Sequence, residues 1–448
     1  MSTEPISRLG WVKLGIFSSP VLVFQAIELP WRMFLPPFFS ETIGLGLAAT
    51  GALMMWIRLF DMIADPLVGW ASDRFPTRFG LRRPWMVASL PLIVTGTWHV
   101  FFASPGTSIS TIAIWCAVMH LGYTLMVVPH GGWGLELSDD YHERTRIMGA
   151  RVWFAAAGMP LIILLPAMLE RLSLADRAGQ VAAMGWILIL LAPASVLLVL
   201  YFIPEPVADH GAAGRTAGPV RQFGPILTDP TLIRILALYA LVGLADASAA
   251  GTFVFFVERA IGLDRMAGLL MLIQALVALM ALPVWLAVSR RLGKHGTLLL
   301  VFAWNALLAP VALLLPVGSV WMLGGFLCLR SLSWGADYML LRALVADIAG
   351  RNGQGDSASR SGSYYALFNV TLKLAAGLGI GAALWILSAA GFSAAGPSDA
   401  TALEAVRLVY ALPSCLAGLL GVAITLFQPS DPGARPRDHS LAVSPPIL

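Results

Sequence analysis

Long apolar segments alternate with short polar connections along almost the whole chain. Each segment is about twenty residues or longer, the length that a helix needs to cross the ~30 Å hydrocarbon core of a membrane. None has the alternating pattern of about ten residues that is typical of an outer-membrane barrel strand. The pattern predicts an all-α membrane protein with twelve transmembrane helices, near residues 12–38, 44–72, 84–104, 109–135, 148–169, 181–204, 230–257, 265–289, 296–316, 319–346, 363–390 and 401–427.

The composition agrees with a protein that lies in a lipid bilayer. Of 448 residues, 58% are hydrophobic and only 12% are charged, far more apolar surface than a soluble protein can bury. The net charge of +4 comes with arginines in the predicted loops, so we expect no nucleic-acid partner. The three cysteines are isolated and give no metal spacing. We therefore expect no metal and no cofactor, a monomer, and the bilayer and a small-molecule substrate as partners.

Polar connections divide the chain and predict its orientation. The longest of them has the Gly, Ala and Pro content of a linker. We predict an N-terminal six-helix bundle at 1–204, a cytoplasmic linker at 205–229, a C-terminal six-helix bundle at 230–427 and a disordered cytoplasmic tail at 428–448. Lys and Arg occur in the loops after the even-numbered segments and are absent after the first, third and ninth. We expect both termini in the cytoplasm and a location in a bacterial inner membrane.

Two carboxylates lie deep in the second apolar segment. Asp61 and Asp65 are four residues apart, so they share one face of a helix with Arg58. At about 1.5 Å per residue, they lie roughly 18 and 12 Å from Asp73, where the polar loop begins. Both acids are thus near the bilayer midplane, where charge is costly and indicates function.

An internal repeat indicates that the acids belong to one half only. Residues 65–74 resemble 282–291, since each stretch has a helix proline followed eight residues later by arginine. At that offset Asp61 and Asp65 align with Ala278 and Leu282. A residue needed only for the fold should recur in both halves, so acids in one half favour a site.

The loop after the second segment resembles a known signature. Gly69-x-x-x-Asp73-Arg74 is similar to the motif between helices two and three of the major facilitator superfamily. The longer stretch RLFDMIADPLVGWASDRFPTRFGLRRPW, residues 58–85, resembles the glycoside–pentoside–hexuronide:cation symporter family. The resemblance implies two pseudo-symmetric bundles and cation-coupled symport of a sugar, glycoside or related small solute by alternating access. We interpret the loop residues as solvated groups that set topology and lock helix ends during gating: Gly69, Asp73, Arg74, Arg82 and Arg83.

The resemblance also implies a cation site. In the family the paired acids hold the coupling cation, here Asp61 and Asp65, and a helix-four threonine joins them, here Thr124 in Tyr-Thr-Leu-Met. A helix-eleven lysine approaches the acids, which is Lys373 here, and Arg58 is a further charge partner. Two carboxylates and a hydroxyl suit Na⁺ or Li⁺. Crowding of like charges could instead make one carboxylate take up H⁺.

The predicted solute site departs from the family pattern. The acids that bind sugar hydroxyls in the family align with Gln25 and Val127, so a galactoside is disfavoured. The helix-five arginine does match, as Arg151. Glu28 and Arg32 are four apart on helix one, where they could contact solute or pair with each other. Our candidates for binding the solute are Gln25, Glu28, Arg32, His130, Arg151, Asn369 and Lys373.

Other functions stay open at this stage. Arg32, Arg151 and Lys373 would suit a carboxylate-bearing solute, so one alternative is a proton-coupled transporter or exporter of an organic anion, drug or lysolipid-like amphiphile. A membrane enzyme or a non-transporting receptor is more remote. An enzyme needs a nucleophile–base or metal constellation, and the sequence offers none with suitable spacing. We therefore expect a transporter and no enzyme.

Overall fold

The computed structural model describes residues 9–75, 77, 79–138, 140–205, 230–351, 357–394 and 396–427. Residues 206–229 of the predicted linker and the predicted tail at 428–448 lie outside the described residues. The apolar segments of the described part are helical apart from a break at 332–335, since hydrocarbon leaves backbone N–H and C=O groups no partner but each other.

Helices occupy all twelve predicted segments. In the first half they are α1 (Trp11–Thr42), α2 (Leu47–Arg74), α3 (Arg83–Phe101), α4 (Ile109–Glu136), α5 (Tyr141–Arg171) and α6 (Arg177–Phe202). In the second half they are α7 (Pro230–Ala260), α8 (267–292), α9 (294–314), α10a (Val320–Ser331), α10b (Ala336–Arg351), α11 (Ser357–Ala389) and α12 (Ala400–Leu426).

Length and hydropathy support membrane crossing for most of these helices. Within the described residues, nine helical stretches are long and apolar enough to span a bilayer. One of the nine contains both α8 and α9, which only a bend at Gly293 (φ 74°) separates. Helix α3 and the two parts of α10 fall outside that set. The all-α membrane fold is confirmed, and the helix count agrees with the twelve predicted spans.

Connections after odd-numbered helices and connections after even-numbered helices lie at opposite ends of such a bundle. We call these ends the odd-loop end (43–46, 172–176, 261–266) and the even-loop end (75, 77, 79–82, 137, 138, 140, 203–205).

The two halves meet where α2 contacts α11. A Cβ added at Gly51 would lie 3.0 Å from the carbonyl oxygen of Gly381, and one at Gly377 would lie 2.8 Å from Cβ of Arg58. Small residues thus let the two helices approach closely.

Helix ten is interrupted in the middle of its span, at residues 332–335. Gly335 has φ +84°, a conformation that L side chains rarely adopt, so the helix cannot continue through it. Two indole N–H groups satisfy carbonyls next to the break: Trp285 donates to Leu332 (2.5 Å) and Trp304 to Leu329 (3.0 Å). Such irregular backbone at membrane depth is tolerated where protein or a cavity surrounds it.

Candidate functional site

Helix α2 directs its two acids toward α4 and α11. The hydroxyl of Thr124 donates to Asp65 Oδ1 at 2.9 Å, and Lys373 Nζ forms an ion pair with Asp65 Oδ2. Asp61 is fully buried, with Arg58 Nη1 at 3.3 Å from its Oδ2. The structure therefore brings together the five residues for which the sequence predicted a cation site.

Glu28 of α1 joins this cluster through Arg58. Its carboxylate meets the guanidinium end-on, with Nη2–Oε2 at 2.7 Å and Nη1–Oε1 at 3.1 Å. The planar fork of arginine matches a carboxylate in this way, which makes the pair strong and well oriented. The alternative that Glu28 pairs with Arg32 is wrong, because tertiary packing offers each side chain a better-placed partner.

His120 on α4 is a member of the cluster that the sequence analysis missed. Its Nδ1 lies 3.2 Å from each carboxylate oxygen of Asp61, and the ring is fully buried. Trp31 packs edge-on against the ring at 4.6 Å between centroids. The sequence could have identified His120 as a candidate, because it precedes Thr124 by four residues and therefore shares its helix face.

The charges of the cluster do not cancel without one more positive charge. Its carboxylates are Glu28, Asp61 and Asp65, and its permanent cations are Arg58 and Lys373. Buried charge is tolerated only when compensated. Besides the imidazole of His120, the cluster therefore has three acidic side chains and two basic ones.

A second ion pair crosses between the halves. Arg32 of α1 forms an ion pair with Asp246 of α7, and the hydroxyl of Tyr338 on α10b donates to the same carboxylate oxygen at 3.1 Å. Lys373–Asp65 is likewise an inter-half pair. The charged groups of the interior thus connect α1 and α2 to α7, α10 and α11, which are elements that must separate if the halves move.

Three of the candidate solute-binding residues lie in helix packing near α1 and α5. Gln25 Nε2 donates to the carbonyl of Ala155 at 3.1 Å. His130 is fully buried, bonded to the Phe17 carbonyl at 2.8 Å and stacked on its ring, so the structure does not place it in the charged cluster. Arg151 has no carboxylate within ion-pair distance among the described residues, and its nearest hydrogen-bonding contact is Met148 Sδ at 3.7 Å.

Asn369 completes the list of candidate solute-binding residues. Its side chain is exposed on α11, one helical turn before Lys373. The structure therefore places it on the same helix as the cluster lysine. Among the candidates, Glu28, Arg32 and Lys373 take part in ion pairs.

Hydrogen bonds and an ion pair join the loop after α2 to neighbouring elements. Arg82 is buried, donating to Ser72 Oγ at 3.0 Å and forming an ion pair with Glu136 Oε1 at 2.6 Å, so the expectation that it is solvated is wrong. Arg83 donates to the carbonyl of Ile203 at 2.7 Å. The other loop residues are Arg74, exposed beside the ring of Trp70, Gly69, which faces Val128, and Asp73, whose side chain lies outside the described residues.

Charged side chains within membrane-spanning helices commonly mark the ion and substrate pathways of secondary active transporters. The family model "MFS/sugar transport protein" matches residues 16–431. The chain belongs to this family, in its glycoside–pentoside–hexuronide:cation symporter branch. The predicted class, a transporter and not an enzyme, is confirmed by that membership.

Curated relatives and solved structures agree with this assignment. The chain is 25% identical to the glucuronide carrier protein homolog of Escherichia coli (strain K12), covering 89% of this chain and 88% of the relative. It is 23% identical to the isoprimeverose transporter of Lactiplantibacillus pentosus, covering 87% and 83%. The nucleoside transporter NupG has a similar fold, with a TM-score of 0.66, 14% identity and coverage of 92% and 98%.

Proposed function

We propose that this transporter couples the movement of a sugar, glycoside or hexuronide to a cation that binds at Asp61, Asp65 and Thr124. The observation that carries the proposal is the cluster of three carboxylates against two permanent cations. Relatives named as a glucuronide carrier homolog and an isoprimeverose transporter support the solute class.

Coupling follows from the position of Lys373. Lys373 lies in the second half and forms an ion pair with Asp65 of the first half. In this state its ammonium group takes the place of the coupling cation. A cation that binds Asp65 releases Lys373, and the inter-half contact is lost with it. Binding of the cation therefore changes the relative stability of the two orientations of the halves, which is the condition for coupled transport.

Two cations fit this site. Na⁺ suits the carboxylate and hydroxyl oxygens of Asp61, Asp65 and Thr124. A proton suits the contact between His120 and Asp61, which holds a titratable ring against a carboxylate. The two possibilities differ in which gradient drives accumulation, so transport assays separate them.

Inter-half contacts support a state that is closed at the odd-loop end. There Arg177 Nη2 lies 2.6 Å from Glu258 Oε2, the N–H of Gly268 donates to Glu170 at 2.5 Å, and Arg265 donates to Ser173 at 2.7 Å. The arginine-rich even loops favour cytoplasmic termini, in a bacterial inner membrane, which turns the odd-loop end outward. The state is then inward-facing, in a transporter that works as a monomer.

One further solute class has support from a specific observation. Arg151 lies in the interior without a carboxylate partner among the described residues, which favours an organic anion. Such a solute could also move by proton-coupled transport or export. A drug or a lysolipid-like amphiphile belongs to the same alternative, whereas a non-transporting receptor would leave the inter-half ion pairs without a role.

The test uses purified protein in liposomes with a panel of glycosides, uronates and small organic acids. An Na⁺ or proton gradient is imposed separately, and accumulation is measured. We expect one gradient to drive accumulation of a sugar or uronate, and Asp61→Asn to abolish it. Asp399→Asn, in the polar turn before α12, is the matched control and should transport normally. Equal accumulation with Asp61→Asn and with the unaltered protein would contradict the proposal.

A further inference from the structure

The second half contains a polar chamber beside the break in helix ten. It is a cavity of about 90 Å³, large enough for several water-sized groups. Its wall is formed by α7, α8, α9, α10 and α12, and by one residue of the first half, Met33 of α1. The chamber therefore reaches the surface between the halves, where a transported solute passes. Its polar side chains include Asp246, Gln274, Asn305, Arg330 and Asp337.

Arg330 lies in the last turn before the break and points into this chamber. Its Nη2 donates to Ser414 Oγ at 2.9 Å, and its guanidinium lies 4.7 Å from the centre of the Tyr410 ring. Among the described residues no carboxylate is within ion-pair distance of it. In contrast, Arg32, Arg58 and Lys373 each form an ion pair with a carboxylate.

Asp337 and Asn305 line the same chamber as Arg330. Asp337, in the first turn after the break, is buried and accepts the backbone N–H of Tyr338 at 2.8 Å. Asn305 Oδ1 accepts the hydroxyl of Ser333 at 2.8 Å, which leaves its amide N–H groups for another partner. Interrupted helices at the midplane place such groups where a solute can reach them.

We propose that Arg330 binds the carboxylate of a uronide solute, while Asp337 and Asn305 bind the neighbouring hydroxyls. A planar guanidinium has five N–H groups, more than the contacts of Arg330 with Ser414 and Tyr410 use, and it matches a carboxylate in a two-point contact. Carboxylate and amide side chains match sugar hydroxyls, which both donate and accept. The chamber holds the acid end of the solute and the rest lies between the halves. The inference rests on the proposed function and names the solute within it.

The experiment compares two solutes that differ only in the acid group, methyl glucuronide and methyl glucoside. Equilibrium binding to the purified protein and gradient-driven uptake into liposomes are both measured. Arg330→Gln should weaken binding of methyl glucuronide about ten-fold or more, and change methyl glucoside by less than about two-fold. Arg330→Lys should retain part of the preference, because it keeps the charge and loses the fork.

Arg407→Gln is the matched control for loss of one arginine from the same half. Arg407 is bonded to the carbonyls of Leu315 (2.7 Å), Ala260 (3.1 Å) and Leu313 (3.3 Å), outside the chamber. Any effect of this variant should be equal for the two solutes. Equal losses for both solutes with Arg330→Gln would overturn the inference, as would unaltered protein that binds no methyl glucuronide. Unaltered protein that binds methyl glucuronide but accumulates nothing contradicts the proposed function alone.

Discussion

The imidazole of His120 lies 3.2 Å from both carboxylate oxygens of Asp61, and both side chains are fully buried. This contact joins α4 to α2 in the middle of the first half. It places an imidazole ring next to an acid of the proposed cation site. The neighbouring charges are Arg58 and Asp65 on α2, Glu28 on α1 and Lys373 on α11.

Replacement of His120 should therefore affect coupling more than solute binding. We expect His120→Gln to lower gradient-driven accumulation about ten-fold, because the buried Asp61 carboxylate loses the ring that contacts both of its oxygens. Exchange of labelled for unlabelled solute, without a gradient, should continue. His99→Gln is the control, since His99 on α3 stacks on Trp115 and has no contact with the cluster among the described residues. Loss of exchange together with accumulation would point to misfolding instead.

Lys373 and Asp65 should behave as one unit in stability measurements. Lys373→Ala leaves a carboxylate at membrane depth without its cation, so we expect a lower unfolding midpoint in detergent. The double variant with Asp65→Asn should recover part of that loss, because the unpaired charge is gone. Both side chains are about a quarter exposed (22% and 26%), so the effect should be smaller than for a dry ion pair.

A double-mutant cycle measures this coupling directly. The four proteins are the unaltered chain, each single variant and the double variant, compared by unfolding midpoint. Additive effects would show that Lys373 and Asp65 do not stabilise each other. Recovered stability without recovered accumulation would separate the structural role of the pair from its role in transport.

The helices and the main acids of the site could be predicted from the sequence, because both depend on local features. Apolar length gives the spans, and an acid pair four residues apart needs only helix geometry. The partners could not be predicted in the same way. Glu28 meets Arg58 and Arg32 meets Asp246 because α1 lies between the halves, and the chain distance between Arg32 and Asp246 is 214 residues. The break in α10 was also missed, because membrane helices commonly contain glycine.

Weakening the contacts between the halves at the odd-loop end should lower the population of the state that is closed there. Arg177 joins Glu258 of α7 to Glu41 of α1, at 2.6 and 3.2 Å. Arg177→Gln removes an inter-half ion pair that stabilises closure, so the opposite state should become more populated. A cysteine at Met33, with the three native cysteines replaced, should react faster with an impermeant thiol reagent added outside. An unchanged rate would mean that this ion pair does not stabilise closure.

The interruption of helix ten depends on one backbone conformation, and this can be tested with two glycines of the same helix. Gly335 has φ +84°, and a Cβ there would be no closer than 4.0 Å to Leu282. Space is therefore available, and the cost of Gly335→Ala is conformational, roughly 1–2 kcal/mol. Gly324, inside α10a, has no atom within 4 Å of an added Cβ and no positive φ. Gly324→Ala should be neutral or stabilising, since alanine favours helix.

Gly335→Ala should thus lower the unfolding midpoint, whereas Gly324→Ala should raise it or leave it unchanged. Gly335→Ala should also impair transport, because Arg330 and Asp337 lie on either side of the break and their relative position depends on it. Unfolding in detergent and uptake in liposomes measure the two effects separately. A normal midpoint with Gly335→Ala would mean that the backbone at the break adapts to a right-handed conformation. Normal uptake would then show that the chamber tolerates that change.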